Sequence, residues 1–385
     1  MFKVAVGHSE DPYTEDATDE VITQCRENLN GLKPNACMVF SAIDYDYSIV
    51  LKKVQEAFPG VQLVGCSSSG ELSSKLGYTE GSLLLIAFAS DVISMAASVA
   101  RDISKNKSES VNKALREIKQ KLKGKPSLCF IFPDIFTIGA VSLVEELKQK
   151  LGQNFPILGG GASDPWQFDQ THEFYNQEIL QDAAPMLFFS GPLEYVFNVG
   201  SGWEPFTTQK PIVKADKNII FKIGDNTALD FYKHYLGGSP TLAHPLAVFE
   251  KDEKRFYLRV VFGINEETGS VVVGGDLPKC AKTSICQADP QNLINETQIL
   301  IQQTIKQLGG KKPACAMIIS CSCRQKILGT KTKDEFQILK NEIPDNVPVF
   351  GFYAYGQISP FSKDQSPFVH NESLITLFLY PHHEP

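Results

Sequence analysis

The sequence lacks any hydrophobic run long enough to cross a membrane, and it lacks clustered basic residues. A membrane-spanning helix needs about 20 consecutive apolar residues, and no run in the 385 residues approaches that length. The formal net charge is −7, whereas a surface that binds nucleic acid or anionic lipid needs a basic patch. These two absences argue against membrane insertion and against nucleic acid as a partner.

The N-terminus lacks the features of a secretory signal peptide, and the cysteines lack a disulfide pattern. A signal peptide needs a basic start and a longer apolar region than Phe2–Val6 provides. The nine cysteines are odd in number and lie mostly within apolar runs, which is typical of free buried thiols in a reducing compartment. We therefore expect a cytoplasmic protein.

The signatures of a bound cofactor are also missing. Gly159, Gly160 and Gly161 open like a dinucleotide-binding loop, but the later glycine and the acidic residue that such a site requires are absent. Cys321 and Cys323 form a single closely spaced pair, whereas structural zinc sites usually use two such pairs. The sequence therefore predicts no metal and no cofactor.

The sequence does contain one pattern that is repeated three times. In each copy a short apolar run leads through an amphipathic stretch to a second apolar run that ends in glycine, and a polar loop and a closing apolar run follow. The first runs are Ala36–Ser41, Ser127–Phe132 and Ala314–Ser320; the glycines are Gly65, Gly159 and Gly351; the closing runs are Leu83–Phe88, Met186–Ser190 and Leu374–Leu379. Three strand-end loops of this kind could form the walls of one pocket.

The pattern changes between the second and third copies. Short, partly alternating runs such as Ile219–Ile223 and Ser270–Val273 are typical of antiparallel strands joined by turns. Strand–helix–strand units together with antiparallel strands predict a mixed fold, between α+β and α/β, with parallel and antiparallel sheets. A chain of this length is expected to form two domains, and we place them at residues 1–215 and 216–385.

The loop after the first repeat glycine carries most of the candidate ligand-binding groups. Ser67, Ser68 and Ser69 offer hydroxyls and backbone N–H groups that could hold a carboxylate, and Glu71 could hold an ammonium group. Cys66 is a further candidate contact; as a nucleophile it would need a nearby base or clustered N–H groups to lower its pKa. The alternative is a tight turn in which the serines satisfy their own backbone.

The other two loops add a backbone-rich wall and an aromatic wall. The candidate residues are Gly160, Ser163 and Asp164 in the second loop and Tyr353, Tyr355 and Gln357 in the third. Cys321 and Arg324 are further candidates, because they lie just after the first run of the third repeat. The Arg324 guanidinium could grip a ligand carboxylate there, and a structural ion pair is its alternative role.

Four separated segments of the sequence together resemble the FIST family. They are Leu63–Leu72, Gly200–Phe206, Leu258–Pro278 and Ser320–Pro360. The resemblance implies a FIST N-terminal domain at residues 1–215 and a FIST C-terminal domain at residues 216–385. It also implies a cytoplasmic sensory and signal-transduction protein that binds a small, amino acid-like ligand and acts through a separate signalling partner protein.

Gln357 departs from the pattern of that family. The third loop of the family resembles G-F-Y-x-x-G-E, and this sequence has Gln where Glu is expected. A Gln side chain cannot form an ion pair with an ammonium group, which weakens an amine-binding role for this position.

The sequence leaves three functions open. The favoured one is a non-catalytic small-molecule sensor whose pocket lies at the three loops. The second is a protein-interaction scaffold without a small ligand, as the family's F-box member in the ubiquitin pathway suggests. The third is an enzyme with Cys66 or Cys321 as its nucleophile, for which uniformly slow reaction of all cysteines with thiol probes would be contrary evidence.

Overall fold

Three units with the same order of elements build most of the chain. The computed structural model describes residues 1–135, 139–169, 171–249, 255–278 and 280–382. In each unit, two strand–helix steps are followed by a third strand, a short hairpin and a closing strand. Each unit therefore contains the repeat seen in the sequence, preceded by one further strand and helix.

The first unit contains β1 (Phe2–Ser9), α1 (Thr14–Leu29), β2 (Ala36–Ser41), α2 (Tyr47–Ala57), β3 (Gln62–Ser67), β4 (Glu71–Ser73), β5 (Gly77–Thr79) and β6 (Leu83–Ser90). The second unit contains β7 (Ser94–Arg101), α3 (Ile103–Lys121), β8 (Pro126–Ile131), α4 (Ala140–Leu151), β9 (Ile157–Gly160), β10 (Glu173–Tyr175), β11 (Glu178–Leu180) and β12 (Ala183–Ser190).

The third unit is interrupted after its first strand, β13 (Leu193–Gly200), by an insertion. The strands and helix of this insertion are β14 (Glu204–Pro205), β15 (Lys210–Asp216), β16 (Ile219–Ile223), β17 (Asn226–Thr227), α5 (Ala228–Leu236), β18 (Leu246–Phe249), β19 (Phe256–Arg259), β20 (Val261–Asn265), β21 (Ser270–Val273) and β22 (Lys282–Gln287). The unit then continues with α6 (Pro290–Leu308), β23 (Cys315–Cys321), α7 (Ser322–Leu328), a 3₁₀ turn (Gly329–Lys331), α8 (Thr332–Glu342), β24 (Val349–Ala354), β25 (Gln357–Pro360), β26 (Pro367–His370) and β27 (Leu374–Pro381).

Each unit forms a sheet with the same strand order. The orders are β1-β6-β2-β3, β7-β12-β8-β9 and β13-β27-β23-β24. In each sheet the last two strands are parallel, while the closing strand pairs antiparallel with its neighbours. The carboxyl ends of the two parallel strands therefore point the same way in every sheet, and the candidate loops begin at these strand ends.

The hairpins are exchanged around the three units. The β10–β11 hairpin of the second unit extends the first sheet through β3, and the β25–β26 hairpin of the third unit extends the second sheet through β9. The β4–β5 hairpin of the first unit extends the third sheet through β24. Each unit thus completes the sheet of another, and the exchange closes into a ring.

A glycine at one register position lets the neighbouring strands approach each other closely. The glycine and its cross-strand partner are Gly65 with Val39, Gly159 with Ile131, and Gly351 with Ile318. A Cβ atom on the three glycines would lie 1.9, 1.9 and 2.1 Å from the carbonyl oxygen of that partner. The repeated glycine is therefore required by the space between the strands.

The three sheets share one apolar core, and the helices cover their outer faces. Phe40, Phe132 and Phe352 meet in this core, with Phe40 and Phe352 stacked at a centroid distance of 3.9 Å. Separate apolar clusters join α1 and α2 to the first sheet, α3 and α4 to the second, and α6 and α8 to the third. Burial of apolar surface on both faces of each sheet holds the units together.

The insertion forms a separate antiparallel sheet with its own core. Its strand order is β19-β18-β22-β15-β16-β21-β20, and α5 packs against one face. At the turn after β21, a Cβ on Gly274 would lie 2.5 Å from the side-chain oxygen of Asn371. The glycine therefore lets the insertion sit directly against the loop that precedes β27.

The predicted mixed fold with parallel and antiparallel sheets is confirmed. The short helix α7, which starts directly after β23, was not predicted, so Arg324 lies on a helix and not simply at a strand end. No helix in the described ranges has the length and apolar character needed to cross a bilayer. The boundary between residues 215 and 216 stays a prediction.

Candidate functional site

The three loops that follow the repeat glycines meet and bond to one another. The Ser69 hydroxyl donates to the carbonyl oxygen of Asp164 at 3.0 Å, and the Ser163 hydroxyl donates to the carbonyl oxygen of Tyr353 at 2.7 Å. The backbone N–H of Tyr355 donates to the carbonyl of Gly161 at 3.2 Å. The structure thus brings the candidate loops together, but their polar groups largely bind each other.

The buried carboxyl group of Glu71 accepts hydrogen bonds from serines in the first loop and just before β6. The hydroxyls of Ser68 and Ser82 both donate to Glu71, while the Ser67 hydroxyl accepts the backbone N–H of His172 at 3.0 Å. Burial raises the pKa of Glu71 to about 8, although its serine hydrogen bonds act in the opposite direction. Glu71 is therefore mostly protonated at neutral pH, which makes it a poor partner for an ammonium group.

Cys66 is fully buried in β3 and does not border a cavity found in the described residues. Burial raises the pKa of its thiol well above the usual value, and the nearby Glu173 and Glu71 carboxyl groups raise it further. A thiol in this environment is not ionised at neutral pH and is a weak nucleophile.

Arg324 forms a buried network with Glu335 and Tyr353. The Arg324 Nε atom donates to Glu335 Oε1 at 2.9 Å and Nη2 donates to the same oxygen at 2.5 Å. The Tyr353 hydroxyl donates to Glu335 Oε2 at 2.7 Å, and Arg324 also donates to the carbonyl oxygens of Ser201 and Leu293. The Arg324 guanidinium thus forms a structural ion pair, its alternative role, and it is not among the residues that line the cavity described below.

Asp164 shapes an aromatic loop. Its carboxylate accepts the backbone N–H groups of Gln167, Phe168 and Asp169 at 2.9 to 3.0 Å and the hydroxyl of Tyr355 at 2.7 Å. Phe168 stacks on Tyr355 with a centroid distance of 5.2 Å. Asp164 thus positions an aromatic wall rather than offering a free carboxylate.

That aromatic wall borders a cavity of about 900 Å³ between the second unit, the third unit and the insertion. The lining residues on the units are Ile135, Gly139, Ala140, Val141, Trp166, Phe168, Cys321, Cys323, Tyr355, Gly356, Val369 and Asn371. The lining residues on the insertion are Lys217, Asn218, Pro240, Thr241, Leu242, Val260, Val261, Phe262, Gly263, Ile264, Gly274, Gly275 and Asp276. The cavity is mostly apolar and has few polar groups, as small-molecule sites usually do.

Cys321 and Cys323 form a polar end of this cavity. Burial alone would raise the pKa of Cys321, but hydrogen bonds from the Cys323 thiol, from the N–H groups of Cys323 and Glu372, and from the Gln357 amide lower it to about 6. The pKa of Cys323 is raised well above its usual value, because its thiol donates to Cys321 and because it is buried. These hydrogen bonds therefore favour the thiolate form of Cys321 and the thiol form of Cys323.

Glu372 is the buried acid of this cluster. Neither of its carboxyl oxygens has a hydrogen-bond partner of regular geometry among the residues that the structure describes, and the Cys323 sulfur approaches the carboxyl group. Burial raises the pKa of Glu372 well above the usual value, and the Cys321 sulfur raises it further. Glu372 therefore favours its protonated form, and its carboxyl group lies beside the sulfur pair.

Gln357 occupies the same register position as two glutamates of the other units. Glu71 pairs with Phe352, Glu173 with Cys66 and Gln357 with Gly160, each partner being the residue after a repeat glycine. Burial raises the pKa of both glutamates, so this position favours a neutral group. A Gln is permanently neutral, and next to the Cys321 thiolate its amide can donate where a carboxylate would repel.

Of the predicted site residues, Cys321 and Tyr355 line the cavity. The remaining ones are buried and are not among the residues that line the cavity: Cys66, Ser67, Ser68, Ser69, Glu71, Gly160, Ser163, Asp164, Arg324, Tyr353 and Gln357. The opposite wall on the insertion was missed. Its signal in the sequence is the pair Gly274-Gly275 followed by Asp276.

No cluster of three or more His, Cys, Asp or Glu side chains in the described ranges is arranged to hold a metal ion. The site therefore offers thiol, carboxyl, amide and aromatic groups. Those groups can bind a small polar molecule or carry thiol chemistry.

Two family models match this chain. Residues 35–226 match the FIST N domain, and residues 228–360 match the FIST C domain. The chain is also 24% identical over 237 residues to an uncharacterized protein, MJ1623, of Methanocaldococcus jannaschii. That similarity covers 58% of this chain and 46% of the relative, so it spans about half the length of that protein.

Among solved structures, similar folds belong to a cyanuric acid hydrolase from A. caulinodans and to a chorismatase. The first has 8% identity and a TM-score of 0.42 and covers 100% of both chains. The second has 6% identity and a TM-score of 0.36 and covers 98% of this chain and 99% of the other. At these scores the likeness says nothing about the activity of this chain.

Proposed function

Because this chain belongs to the FIST family, whose domains are sensory and signalling domains, we propose that it senses a small amino acid-like ligand in the cavity between the units and the insertion. The observation that carries the proposal is the cavity itself. It has the size of a small-molecule site, and its two walls belong to different parts of the fold. The cytoplasmic location expected from the sequence is part of this proposal.

The charges around the cavity favour a zwitterionic ligand. Lys217 and Asp276 are the two side chains of ordinarily charged type among the described lining residues. Their segments are adjacent, because the N–H of Leu277 donates to the carbonyl of Lys217 at 3.1 Å. An ammonium and a carboxylate on one wall can pair with the carboxylate and the amino group of an amino acid.

The aromatic wall favours an apolar side chain on that ligand. Tyr355 and Phe168 are stacked against each other at one side of the cavity, and Phe262 and Ile264 lie on the insertion side. A ligand that places its apolar part between these groups would bury apolar surface on both walls, at roughly 25 cal/mol for each Å² removed from water. We therefore propose a larger apolar or aromatic amino acid, or a close relative.

A ligand bound to both walls would transmit its presence through the insertion. A ligand shifts a conformational equilibrium only when it binds one state better than the other. Contacts to both walls give that difference, because they form only when the insertion and the units hold one relative position. We propose that a separate signalling partner protein recognises this position of the insertion.

The test is a thermal-shift screen of the full-length protein against single amino acids. A ligand present at 100 times its Kd adds about 2.7 kcal/mol to the stability of the folded state. We expect apolar or aromatic amino acids to raise the melting temperature. If no amino acid raises it, the proposal is wrong and a scaffold function without a small ligand is favoured.

Matched charge-removing variants locate the site. Lys217→Gln and Asp276→Asn should each abolish or strongly weaken the shift. Lys222→Gln and Asp216→Asn make the same chemical changes at exposed positions nearby that do not line the cavity, and they should leave the shift unchanged. Equal loss in both pairs would show that the response does not depend on this cavity.

A further inference from the structure

The Cys321–Cys323 pair differs from every other buried cysteine of the chain. Six other cysteines are buried, and burial raises the pKa of each: Cys25, Cys37, Cys66, Cys129, Cys286 and Cys315. Cys321 and Cys323 instead line the cavity, with 3% and 6% of their surface exposed. They are buried but open to a molecule that enters the cavity.

The two sulfurs are held against each other by the local fold. Strand β23 ends at Cys321, and α7 starts at the next residue, so Cys323 lies in the first turn of that helix. The Cys323 thiol donates to the Cys321 sulfur, and the Gln357 amide donates to the same sulfur from β25. This arrangement stabilises a sulfur anion with a second thiol as its direct neighbour.

We propose that Cys321 and Cys323 form a peroxide-sensitive thiol pair that closes to a disulfide. A cysteine that senses oxidants is an accessible thiolate and often has a resolving cysteine beside it. The geometry supplies these features: access through the cavity, donors that hold the sulfur as an anion, and a partner two residues away. This inference is independent of the proposed amino acid ligand.

The first step consumes one molecule of hydrogen peroxide. The Cys321 sulfur attacks one peroxide oxygen and the O–O bond breaks. Hydroxide leaves and takes up a proton to become water, and Cys321 becomes a sulfenic acid. Sulfur is oxidised by two electrons and peroxide is reduced by two electrons.

The second step closes the disulfide. The Cys323 thiol gives its proton to water, which passes it to the leaving hydroxide, and the Cys323 sulfur attacks the Cys321 sulfur. The S–O bond breaks, and hydroxide leaves as a second water molecule. In total two thiols and one peroxide yield one disulfide and two waters, and a small dithiol reductant reverses the change.

Oxidation would alter the polar end of the cavity. The disulfide carries no charge, so the amide of Gln357 and the N–H of Glu372 would lose the sulfur anion that they now bind. The cavity would then hold two oxidation states that differ by one negative charge at this wall.

The test uses ligand-free, full-length protein treated with one equivalent of hydrogen peroxide and mapped by peptide mass spectrometry. We expect the peptide that contains residues 321 and 323 to lose two hydrogen atoms and to regain them with a dithiol reductant. Cys280 is the internal control, because it is the exposed cysteine. If Cys280 is oxidised first while the 321–323 peptide stays reduced, exposure alone governs reactivity and the proposal is overturned.

Two variants separate the roles of the sulfurs. Cys323→Ser should stop at a sulfenic acid on Cys321 that dimedone traps, and Cys321→Ser should leave Cys323 reduced. A dimedone adduct on Cys323 in Cys321→Ser, or a disulfide from either cysteine to a third one in the wild type, would contradict the assignment. The wild-type peptide map decides the question by itself if a variant does not fold.

Discussion

Replacing Arg324 with Met should destabilise the fold and leave ligand binding intact. Met keeps much of the apolar volume of the arginine side chain but removes its charge and donors. Both Arg324 and Glu335 have fully buried side chains. The substitution therefore leaves the Glu335 carboxylate buried without its ion-pair partner, and it leaves the carbonyl oxygens of Ser201 and Leu293 without a donor.

The expected loss follows from the burial of this pair. Removing one partner of a buried ion pair costs about 3–5 kcal/mol, because the remaining charge is uncompensated. The whole free energy of unfolding of a native protein is typically about 5–15 kcal/mol. Arg324→Met should therefore remove a large share of the stability, whereas Arg116→Met at an exposed position should change it by no more than about 0.5 kcal/mol.

The measurement is the denaturant midpoint of each variant, with and without the stabilising amino acid found in the screen. Adding Glu335→Gln to Arg324→Met should recover part of the loss, because a neutral amide replaces the unpaired charge. Residues in one network usually show interaction energies of about 0.5–3 kcal/mol in such a double-mutant cycle.

One result would refute this reasoning. If Arg324→Met unfolds at the wild-type midpoint and no longer responds to the amino acid, the guanidinium contacts the ligand and does not stabilise the core. A destabilised variant that still responds supports the structural role.

Three further predictions concern other parts of the fold. Gly351→Ala should lower the free energy of unfolding by about 3 kcal/mol or more, measured by denaturation, because its Cβ would lie 2.1 Å from the carbonyl oxygen of Ile318. Burial raises the pKa of Glu71 to about 8 from an ordinary 4.5. The folded protein then holds a proton that the unfolded chain releases, so wild-type stability should fall as pH rises from 4.5 to 8 relative to Glu71→Gln, measured by denaturation across that range. Tyr355→Phe should cost about 1.5–3 kcal/mol, because it removes the hydrogen bond to the Asp164 carboxylate, and it should weaken the thermal shift.

Each of these three predictions has a contrary outcome. A Gly351→Ala variant as stable as the wild type would show that the neighbouring strand can move aside. Parallel pH curves for Glu71→Gln and the wild type would show that Glu71 is ionised in the folded protein. A Tyr355→Phe variant with wild-type stability and wild-type ligand response would remove the aromatic loop from the proposed site.

The repeated sheets could be predicted from the sequence because their signals are local. Each apolar run and the glycine that follows it lie within a few residues of one another, and the glycine is needed for close strand contact. The hairpin exchange could not be predicted in this way. Glu71–Ser73 is only three residues long and pairs with Phe350–Phe352, and nothing in so short a strand identifies a partner so distant in sequence.

The candidate site was predicted in part, for a related physical reason. The polar residues after the repeat glycines do converge, as parallel strands require, but sequence does not show which of them bond to each other. Glu335, the partner of Arg324, is one of many carboxylates and is selected only by the packing of α7 against α8. The sequence did not predict the wall formed by the insertion, because the insertion is brought next to the loops by tertiary packing and not by its position in the sequence.

The closed exchange of hairpins also governs how the protein can be assembled. During synthesis the β4–β5 hairpin is made early, yet the strand that it joins, β24, is among the last to be made. The first sheet is complete once β10 and β11 are made, but the second and third sheets keep unpaired edges until the third unit is made, and such edges invite aggregation. The second and third sheets must therefore be completed late, in a slow step dominated by non-local contacts. A fragment that ends between the FIST N and FIST C regions would lack partners for both β4 and β13. Completion of two of the three sheets thus depends on the last third of the chain, although the sequence is modular.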